Sequence, residues 1–279
     1  MSEKMMSEQV MSEQVMQIAK EAAAFMANRD FQVENKGSVG NDVTSADKQV
    51  QKYIKDRLRR LDPSIGFIGE EEGEQDYGAR RAWVVDPIDG TANFIRGLNA
   101  SAISIGLIED GEAVLGVVYN PYQDELYSAQ KGKGAFLNGI PIHVSDRDFA
   151  HGMCCTAFCL YRKELSEICQ RILTDVYAEC EDFRRIGTAS IELTALAAGK
   201  VELYFEIRLY PWDYAASACI IKEAGGHVGS ISMQPGGGDA ALSYTGPGPI
   251  VAANSKENYE QMLAIIKRHM YMSEPWKTE

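Results

Sequence analysis

The sequence lacks the features that mark several large classes of protein. No apolar run approaches the roughly 18 residues that a membrane-spanning helix needs, so no membrane partner is expected. The first residues are polar and charged without an apolar core, which predicts a cytoplasmic protein with no secretory signal. Basic residues number 28 against 40 acidic ones, and the resulting net charge of −12 argues against direct binding to nucleic acid.

Cysteines are few, and their arrangement does not suit a metal site. No CxxC pair occurs, and no closely spaced histidines complete a zinc ligand set. We therefore expect reduced, mostly buried thiols, as in a cytoplasmic protein. The six cysteines are Cys154, Cys155, Cys159, Cys169, Cys180 and Cys219.

Apolar periodicity predicts two helices at the start of the chain. Apolar residues recur with a helical period over residues 11–25 and again over residues 50–61. Thr44 or Ser45 is the expected cap of the second helix. Between the two, residues 34–42 carry two glycines and no apolar period, which predicts a mobile loop.

The remaining elements predict α+β architecture with an α/β second half. Strands are predicted first, two of them joined by a hairpin turn at 109–111, with a further turn at 137–139. Alternating elements follow, which places a boundary between a subdomain of residues 1–145 and one of residues 146–279. The predicted strands are residues 66–69, 82–85, 102–108, 113–119 and 201–206. Later helices are predicted at 162–173, 188–198, 213–224 and 256–270, and a Gly/Pro-rich loop at 235–248.

Acidic residues follow predicted strands at the points where the strands end. Glu70 follows the first strand, Asp86 and Asp89 follow the second, and Asp213 opens a predicted helix. Carboxylates at strand ends meet at one edge of a sheet, where they repel and raise one another's pKa. Divalent cations remove that penalty, and Mg²⁺ suits a few carboxylates together with water and phosphate. The pattern therefore predicts a magnesium site.

The residues after Asp89 favour phosphate binding beside such metals. Gly90 and Thr91 begin a predicted helix, whose free N–H groups and positive dipole end attract an anion. The Thr91 hydroxyl, paired with a carboxylate such as Asp47, would orient or deprotonate the attacking water. Each motif alone is explained by a turn or a helix cap, and only the whole set favours a site.

The run 86–91 (Asp-Pro-Ile-Asp-Gly-Thr), followed by Asn-Phe at 93–94, resembles the signature of the inositol monophosphatase family of Mg²⁺-dependent, lithium-sensitive phosphatases. Trp-Asp at 212–213, with Glu-Ala-Gly-Gly at 223–226, is similar to the second signature of that family. Three further segments match in order and spacing, namely residues 44–47, 69–71 and 187–190. The likeness covers nearly the whole chain, from about residue 12 to residue 268.

The resemblance implies a layered α-β-α-β-α sandwich of the inositol monophosphatase and fructose-1,6-bisphosphatase type, and a homodimer. It also implies about two to three Mg²⁺ ions in each active site. Glu70, Asp86 and the Ile88 carbonyl would hold the first ion, and Asp86, Asp89 and Asp213 the second. A weaker third ion would lie near Glu70 through water.

The resemblance likewise implies which residues bind substrate and activate water. Gly90 and Thr91 would bind phosphate, and Thr91 with Asp47 would activate water beside the catalytic Glu70. Lys36 would lie on a mobile loop that closes over the metals. The substrate contacts implied are Asp89, Gly90, Thr91, Ala189, Glu206 and Asp213.

Hydrolysis of a small phosphorylated polyol, an inositol monophosphate, is thus the expected function. The alternatives are the same mechanism on fructose 1,6-bisphosphate, histidinol phosphate, or a nucleotide or dinucleotide phosphate, and a regulatory role in binding a protein. Two departures from the family pattern bear on substrate. Arg208 and Tyr210 line one wall of the pocket or pack on the core, and Arg184 and Arg185 meet a second phosphate or lie at a dimer interface.

Overall fold

The computed structural model describes residues 3–28, 30–35, 37, 42–71, 73, 75–158, 162–232 and 238–270, with the side chains of 3–9 and 270 left out. Within those ranges the chain forms seven α-helices and fifteen strands. None of the described helices is both long and apolar enough to cross a bilayer. The helices are α1 (Glu3–Ala27), α2 (Ser45–Leu61), α3 (Thr91–Arg96), α4 (Ser166–Glu179), α5 (Ala189–Ala197), α6 (Pro211–Glu223) and α7 (Lys256–Met270).

The strands form a two-stranded ribbon and two large sheets. The strands are β1 (Val33–Asn35), β2 (Asp42–Thr44), β3 (Gly66–Gly69), β4 (Arg81–Asp89), β5 (Ala102–Glu109), β6 (Glu112–Asn120), β7 (Glu125–Gln130), β8 (Ala135–Leu137), β9 (Ile140–Ile142), β10 (Met153–Thr156), β11 (Asp182–Arg184), β12 (Leu203–Leu209), β13 (His227–Ile231), β14 (Asp239–Ala240) and β15 (Gly248–Ala253). The ribbon is β1-β2, antiparallel. The first sheet has the order β3-β4-β5-β6-β7-β8-β9, and the second β11-β10-β12-β15-β13-β14.

The pairing within each sheet places strand ends at the same edge. In the first sheet β3 and β4 are parallel, and every later pair is antiparallel. In the second sheet β10 is parallel to both β11 and β12, whereas β12, β15, β13 and β14 pair antiparallel. The carboxyl ends of β3 and β4 therefore lie side by side.

Helices and sheets alternate in five layers. On the outer face of the first sheet, α1 and α2 pack against residues such as Trp83 and share one apolar core with it. Between the two sheets lie α5 and α6, where Leu193 joins a core with Val84 of the first sheet and Tyr204 of the second. On the outer face of the second sheet lie α4 and α7. This order confirms the layered sandwich that the resemblance implies.

The small residues of α6 let it approach the first sheet closely. A Cβ atom on Gly116 of β6 would lie 2.1 Å from the Ala216 carbonyl oxygen. One on Gly106 of β5 would lie 2.9 Å from the Ala216 nitrogen. Helix backbone and sheet backbone thus meet directly, and any larger side chain would push α6 away. Because Asp213 is the third residue of α6, this contact sets the position of its carboxylate.

Most of the predicted elements are confirmed. The hairpin between β5 and β6 turns at Asp110 and Gly111, which have φ of 52° and 79°. Asn138 and Gly139 form the same kind of turn, with φ of 51° and 79°. The cap of α2 is Thr44, whose hydroxyl accepts from the N–H groups of the first turn.

The structure corrects three of the predicted boundaries. The predicted loop 34–42 begins and ends in strand, because β1 and β2 pair across it. The predicted helix 162–173 starts at Ser166 after a short 3-10 turn and continues to Glu179, where apolar residues still pack on the second sheet. The predicted loop 235–248 contains β14, which pairs with β13. Four further strands of the second sheet, β10, β11, β13 and β15, had no prediction, since short buried strands give no alternating pattern.

The chain passes from the first sheet to the second between Ile142 and Met153. That interval contains the boundary expected from the sequence. However, α5 and α6 share one apolar core with both sheets. The division into residues 1–145 and 146–279 therefore stays a prediction.

Candidate active site

A cavity of about 420 Å³ opens where the carboxyl ends of β3 and β4 meet the N-terminal ends of α3, α5 and α6. Among the described residues, those proposed from the family resemblance to bind metal or substrate all line it, whereas Asp47 and Arg184 do not. Lys36 lies outside the described residues, so its placement over the metals stays a prediction. The predicted residues at the cavity wall are Glu70, Asp86, Ile88, Asp89, Gly90, Thr91, Ala189, Glu206 and Asp213.

Three aspartates converge at one end of the cavity. Carboxylate oxygens of Asp86, Asp89 and Asp213 all lie within 4.8 Å of one another. In a regular strand Asp86 and Asp89 would face opposite sides of the sheet, because their separation is odd. The pairing of β4 with β5 shifts register between these two residues, around Pro87, so that both face the cavity. Asp213 reaches the same place from the first turn of α6.

Burial and mutual repulsion dominate the electrostatics of this group. Burial is the main cause that raises the pKa of Asp86, and the charges of Glu70 and Asp89 raise it further. Burial also raises the pKa of Asp213, with Asp89 as the next cause. At Asp89 burial prevails over hydrogen bonds that lower the pKa, among them one from the Ser190 N–H at 2.6 Å.

The donor set fits a hard divalent cation. Three carboxylates this close hold their negative charge at neutral pH only at a large electrostatic cost, which a cation removes. Oxygen ligands from a few carboxylates are those that Mg²⁺ prefers. The buried cluster Asp86, Asp89 and Asp213 can therefore bind metal.

Glu70 lies beside this cluster at the end of β3. Its backbone N–H bonds to the Val85 carbonyl at 3.2 Å, which continues the parallel pairing one residue beyond the strand. The side chain lines the cavity, and its charge is the second cause, after burial, of the raised pKa of Asp86. Glu70 thus faces the aspartates without belonging to the three whose oxygens lie within 4.8 Å.

The Thr91 side chain lies beside Asp47 and the Ile88 carbonyl. The Thr91 hydroxyl lies 3.3 Å from Asp47 Oδ1 and 3.1 Å from the Ile88 carbonyl oxygen. Asp47 is fully buried in the first turn of α2, where its other oxygen accepts from the Thr44 N–H at 2.8 Å and from the Thr44 hydroxyl. Burial raises the pKa of Asp47 to about 6, against these hydrogen bonds, which lower it.

Gly90 is required at its position for two reasons. Its φ is +84°, a conformation that side-chain-bearing residues rarely adopt, and a Cβ atom there would lie 2.1 Å from Thr188 Oγ1. The Thr188 hydroxyl in turn donates to the Ala100 carbonyl at 2.6 Å, and Asn93 donates to Thr188 at 3.1 Å. These bonds hold the start of α5, and with it Ala189, against the turn that carries Asp89.

Sequence reasoning missed Gln51, which fixes the segment after Glu70. Its side-chain amide donates to the Glu71 carbonyl at 3.1 Å and accepts from the Glu71 N–H at 3.0 Å, so it pairs with that backbone as a strand would. The signal was present, because Gln51 lies one turn after Asp47 on the buried face of α2. A polar residue at a core position needs a partner.

A second acidic group, of which the sequence predicted only Glu206, also lines the cavity. Glu192 of α5 accepts from the Gly187 N–H at 3.0 Å, and burial raises its pKa to about 7. Burial, and then the charge of Glu192, raises the pKa of Glu206 to about 8. Glu206 also accepts from the Tyr204 hydroxyl at 3.1 Å. Asp42, at the start of β2, is a further lining residue without a sequence prediction.

Of the residues that depart from the family pattern, some line the cavity and one does not. Arg208, Tyr210 and Trp212 line the cavity, with the Tyr210 and Trp212 rings parallel within 2° and their centroids 4.8 Å apart. The structure thus favours the interpretation as a pocket wall. Arg185 lines the same cavity, whereas its neighbour Arg184 does not and pairs with Asp182 at 2.5 Å.

The comparisons with known proteins agree with this geometry. A model of the inositol monophosphatase family matches residues 4–271. Nus factor SuhB of Escherichia coli (strain K12) is 39% identical over 228 residues, which are 81% of this chain and 82% of that protein. The structure of extragenic suppressor protein suhB from Bartonella henselae has a TM-score of 0.81 at 31% identity, over 90% of this chain and 96% of that one. Inositol monophosphatase from Anabaena (Nostoc) sp. PCC 7120 has a TM-score of 0.78 at 27% identity, over 94% and 96%.

The matched region includes every described element that lines the cavity, from β2 to α6. Members of the matched family are phosphatases that act on phosphate esters, are in general Mg²⁺-dependent and are often dimers. A buried cluster of carboxylates with oxygen donors for metal is what such chemistry requires. From the family model, the relatives and the shared fold together, this chain belongs to the inositol monophosphatase family.

Proposed function

We propose that the protein is an inositol-phosphate phosphatase, a Mg²⁺-dependent phosphomonoesterase that converts an ester of the myo-inositol 1-phosphate type to inositol and phosphate. The observation that carries this proposal is the set of carboxylates of Asp86, Asp89 and Asp213 within 4.8 Å, buried at one end of an open cavity. Cations held by these carboxylates would attract the phosphate of an ester that enters from solvent.

The metal ligands are assigned by position in the cavity and by family resemblance. Glu70, Asp86 and the Ile88 carbonyl are proposed to hold one Mg²⁺, and Asp86, Asp89 and Asp213 a second. A weaker third ion is proposed near Glu70 through water. When bound, such ions neutralise the carboxylates, lower the pKa of water and stabilise negative charge on the phosphate and on the leaving oxygen.

Thr91 and Asp47 are proposed to orient the attacking water. The Thr91 hydroxyl lies within hydrogen-bond distance of two acceptors, Asp47 Oδ1 at 3.3 Å and the Ile88 carbonyl oxygen at 3.1 Å. With the Ile88 carbonyl bound to a cation, the hydroxyl would donate its one proton to Asp47. A lone pair of Thr91 Oγ1 would then accept from water. The water oxygen then bonds to phosphorus as the phosphorus–oxygen bond to the alcohol breaks. The attacking water gives up one proton and the leaving oxygen takes one up, so that the products are the alcohol and inorganic phosphate.

The remaining contacts are proposed to fix the two ends of the substrate. The N–H groups of Gly90 and Thr91, at the start of α3, are assigned to the phosphate. Asp89 and Asp213 line the cavity, and we assign them contacts with the substrate as well as with cations. Glu206 and the Ala189 backbone, which also line the cavity, are assigned to hydroxyl groups of the polyol.

The proposal is tested by phosphate release from myo-inositol 1-phosphate and from fructose 1,6-bisphosphate, with and without Mg²⁺. We expect Mg²⁺-dependent turnover of the inositol ester that Asp86→Asn abolishes. Thr91→Val is expected to lower kcat by about 10²–10⁴-fold, because it removes the hydroxyl that orients water. Thr91→Ser, which keeps that hydroxyl, is the matched control.

Two outcomes would contradict the proposal at different levels. Faster turnover of the bisphosphate would keep the mechanism and replace the substrate, as would turnover of histidinol phosphate or of a nucleotide or dinucleotide phosphate. If no ester is hydrolysed and Mg²⁺ does not bind, the enzymatic function is wrong. Circular dichroism of Asp86→Asn and Thr91→Val separates loss of chemistry from loss of fold.

A regulatory, protein-binding role is the second candidate, favoured by the printed name of the E. coli relative, a Nus factor. With a net charge of −12, a basic protein is the expected partner and direct binding to nucleic acid is not. Affinity capture with wild type and with Asp86→Asn tests this role. A specific partner retained by the inactive variant would support it, and retention of RNA alone would contradict the expected partner.

The oligomeric state and the cellular location stay predictions. A homodimer is expected because family members are often dimers, and sedimentation equilibrium measures it directly. A monomeric mass at micromolar concentration would contradict it. The cytoplasmic location follows only from the sequence pattern, and fractionation of cells that produce the protein tests it.

A further inference from the structure

The lining of the cavity contains two arginines among its carboxylates. Carboxylates dominate its lining, and the cations proposed above would neutralise those nearest the phosphate. Two guanidinium groups, those of Arg185 and Arg208, line the wall that carries Glu206 and Tyr210. They are the two cationic side chains among the described residues that line the cavity.

Arg208 is held in place by an aromatic ring and not by a carboxylate. Its guanidinium carbon lies 5.5 Å from the centroid of the Tyr210 ring, and its Nη2 lies 3.4 Å from the Tyr210 hydroxyl. The Tyr210 ring in turn stacks on Trp212. Among the described residues Arg208 has no ion pair within 4.0 Å, and the nearby Glu164 is bonded to Arg162. A guanidinium that lies over an aromatic ring keeps its remaining N–H donors available for a carboxylate or a phosphate.

Arg185 contributes the second charge. It lies on the turn before α5, is exposed and lines the same cavity. It too forms no ion pair within 4.0 Å in the part of the chain that the structure describes, whereas the adjacent Arg184 pairs with Asp182. Its charge acts on Glu192 and Glu206, since it lowers the pKa of each against the dominant effect of burial.

We propose that Arg208 and Arg185 form an anion subsite for the leaving group, so that the enzyme also takes phosphate esters whose alcohol carries a second phosphate or carboxylate. The inference rests on the proposed phosphatase activity, though not on inositol monophosphate being the preferred substrate. Inositol monophosphate places only neutral hydroxyls at this wall, and an ester with a second anion gains charge-assisted hydrogen bonds there.

The test compares two esters of one scaffold, myo-inositol 1-phosphate and myo-inositol 1,4-bisphosphate. Wild type is expected to have the higher kcat/KM on the bisphosphate. Arg208→Gln and Arg185→Gln are each expected to lower that kcat/KM at least about tenfold through KM, and to change the monophosphate less than about twofold. Arg184→Gln is the matched control, because Arg184 adjoins Arg185 and does not line the cavity.

Any other result contradicts the proposed subsite. Equal losses on both esters would mean that the arginines only shape the pocket, and no loss on the bisphosphate would mean that they do not contact it. If wild type hydrolyses neither ester, the proposed function fails separately. Titration calorimetry of the intact bisphosphate in the same Mg²⁺ buffer then decides the subsite, which requires weaker binding by Arg208→Gln than by Arg184→Gln.

Discussion

At the scale of single residues, Gly90 shows how backbone geometry and packing combine at one position. Its positive φ turns the chain from β4 into α3, between Asp89 and Thr91. Its missing side chain leaves room for Thr188, which anchors α5. Other glycines with positive φ, such as Gly111, have open space around them. Of these two glycines, Gly90 is the one that packs against a residue next to another helix.

Gly90→Ala is therefore expected to destabilise the protein more than Gly111→Ala. Both substitutions place alanine at a positive φ, which costs about 1–3 kcal/mol. In Gly90→Ala the new methyl group also clashes with Thr188, which lowers the free energy of unfolding by about a further 1–3 kcal/mol. Urea unfolding of the two variants measures the difference, and equal losses would show that the contact with Thr188 relaxes freely. Phosphatase activity is expected to fall in Gly90→Ala alone.

At the scale of elements, the site depends on helices and strands that are held to one another by specific polar contacts. Gln51 joins α2 to the segment after β3, because it pairs the helix that carries Asp47 with the backbone of Glu71, the residue after Glu70. The raised pKa of Asp47, about 6, has burial as its main cause and the charge of Glu71 as a minor one. The neutral amide of Gln51 connects these two acidic segments without adding a further negative charge.

Gln51→Leu is expected to weaken Mg²⁺ binding as well as the fold. The substitution leaves the N–H and carbonyl of Glu71 without these partners, which costs about 1–3 kcal/mol for each group that stays buried. Because Glu70 is then held less firmly, the Mg²⁺ concentration for half-maximal activity should rise several-fold. Gln49→Leu, on the exposed face of the same helix, is the matched control. An unchanged Mg²⁺ requirement in Gln51→Leu would contradict a positioning role.

At the scale of the whole molecule, two sheets enclose a layer of helices, and the cavity lies where that layer meets the edge of the first sheet. Asp86 and Asp89 belong to the sheet, whereas Asp213 belongs to the helical layer. Packing of α6 against Gly106 and Gly116 brings the carboxylates together and buries them. The apolar core thus maintains an electrostatic repulsion that bound cations would relieve.

Mg²⁺ is accordingly expected to stabilise the folded protein by mass action. At about one hundred times the dissociation constant, the free energy of unfolding should rise by about 2.7 kcal/mol. Asp86→Asn should lose this increment, and should be more stable than wild type in EDTA, because one buried negative charge is removed. Thermal unfolding with Mg²⁺ and with EDTA measures both effects. Asp56→Asn, at an exposed carboxylate on α2, is the control, and an equal increment in Asp86→Asn would contradict the metal site.

The sequence by itself determined the features that depend on neighbours along the chain. The capping box of Thr44 and Asp47 closes within one turn, and the hairpin at Asp110 and Gly111 needs only residues that accept positive φ. The spacing of Asp86 and Asp89 with Gly90 likewise indicated a metal and phosphate motif, because those residues are adjacent. The family resemblance rests on such local runs.

Only the tertiary structure decided which distant residues meet. Nothing in local pattern distinguishes Arg185, at the cavity, from Arg184, paired with Asp182, because their surroundings depend on how β11 and α5 pack. The pairing of Gln51 with Glu71 arises between separate elements in the same way. Short-range propensities act over one turn or one strand pair, whereas these contacts depend on the packing of whole layers, which is why they appear only in the folded molecule.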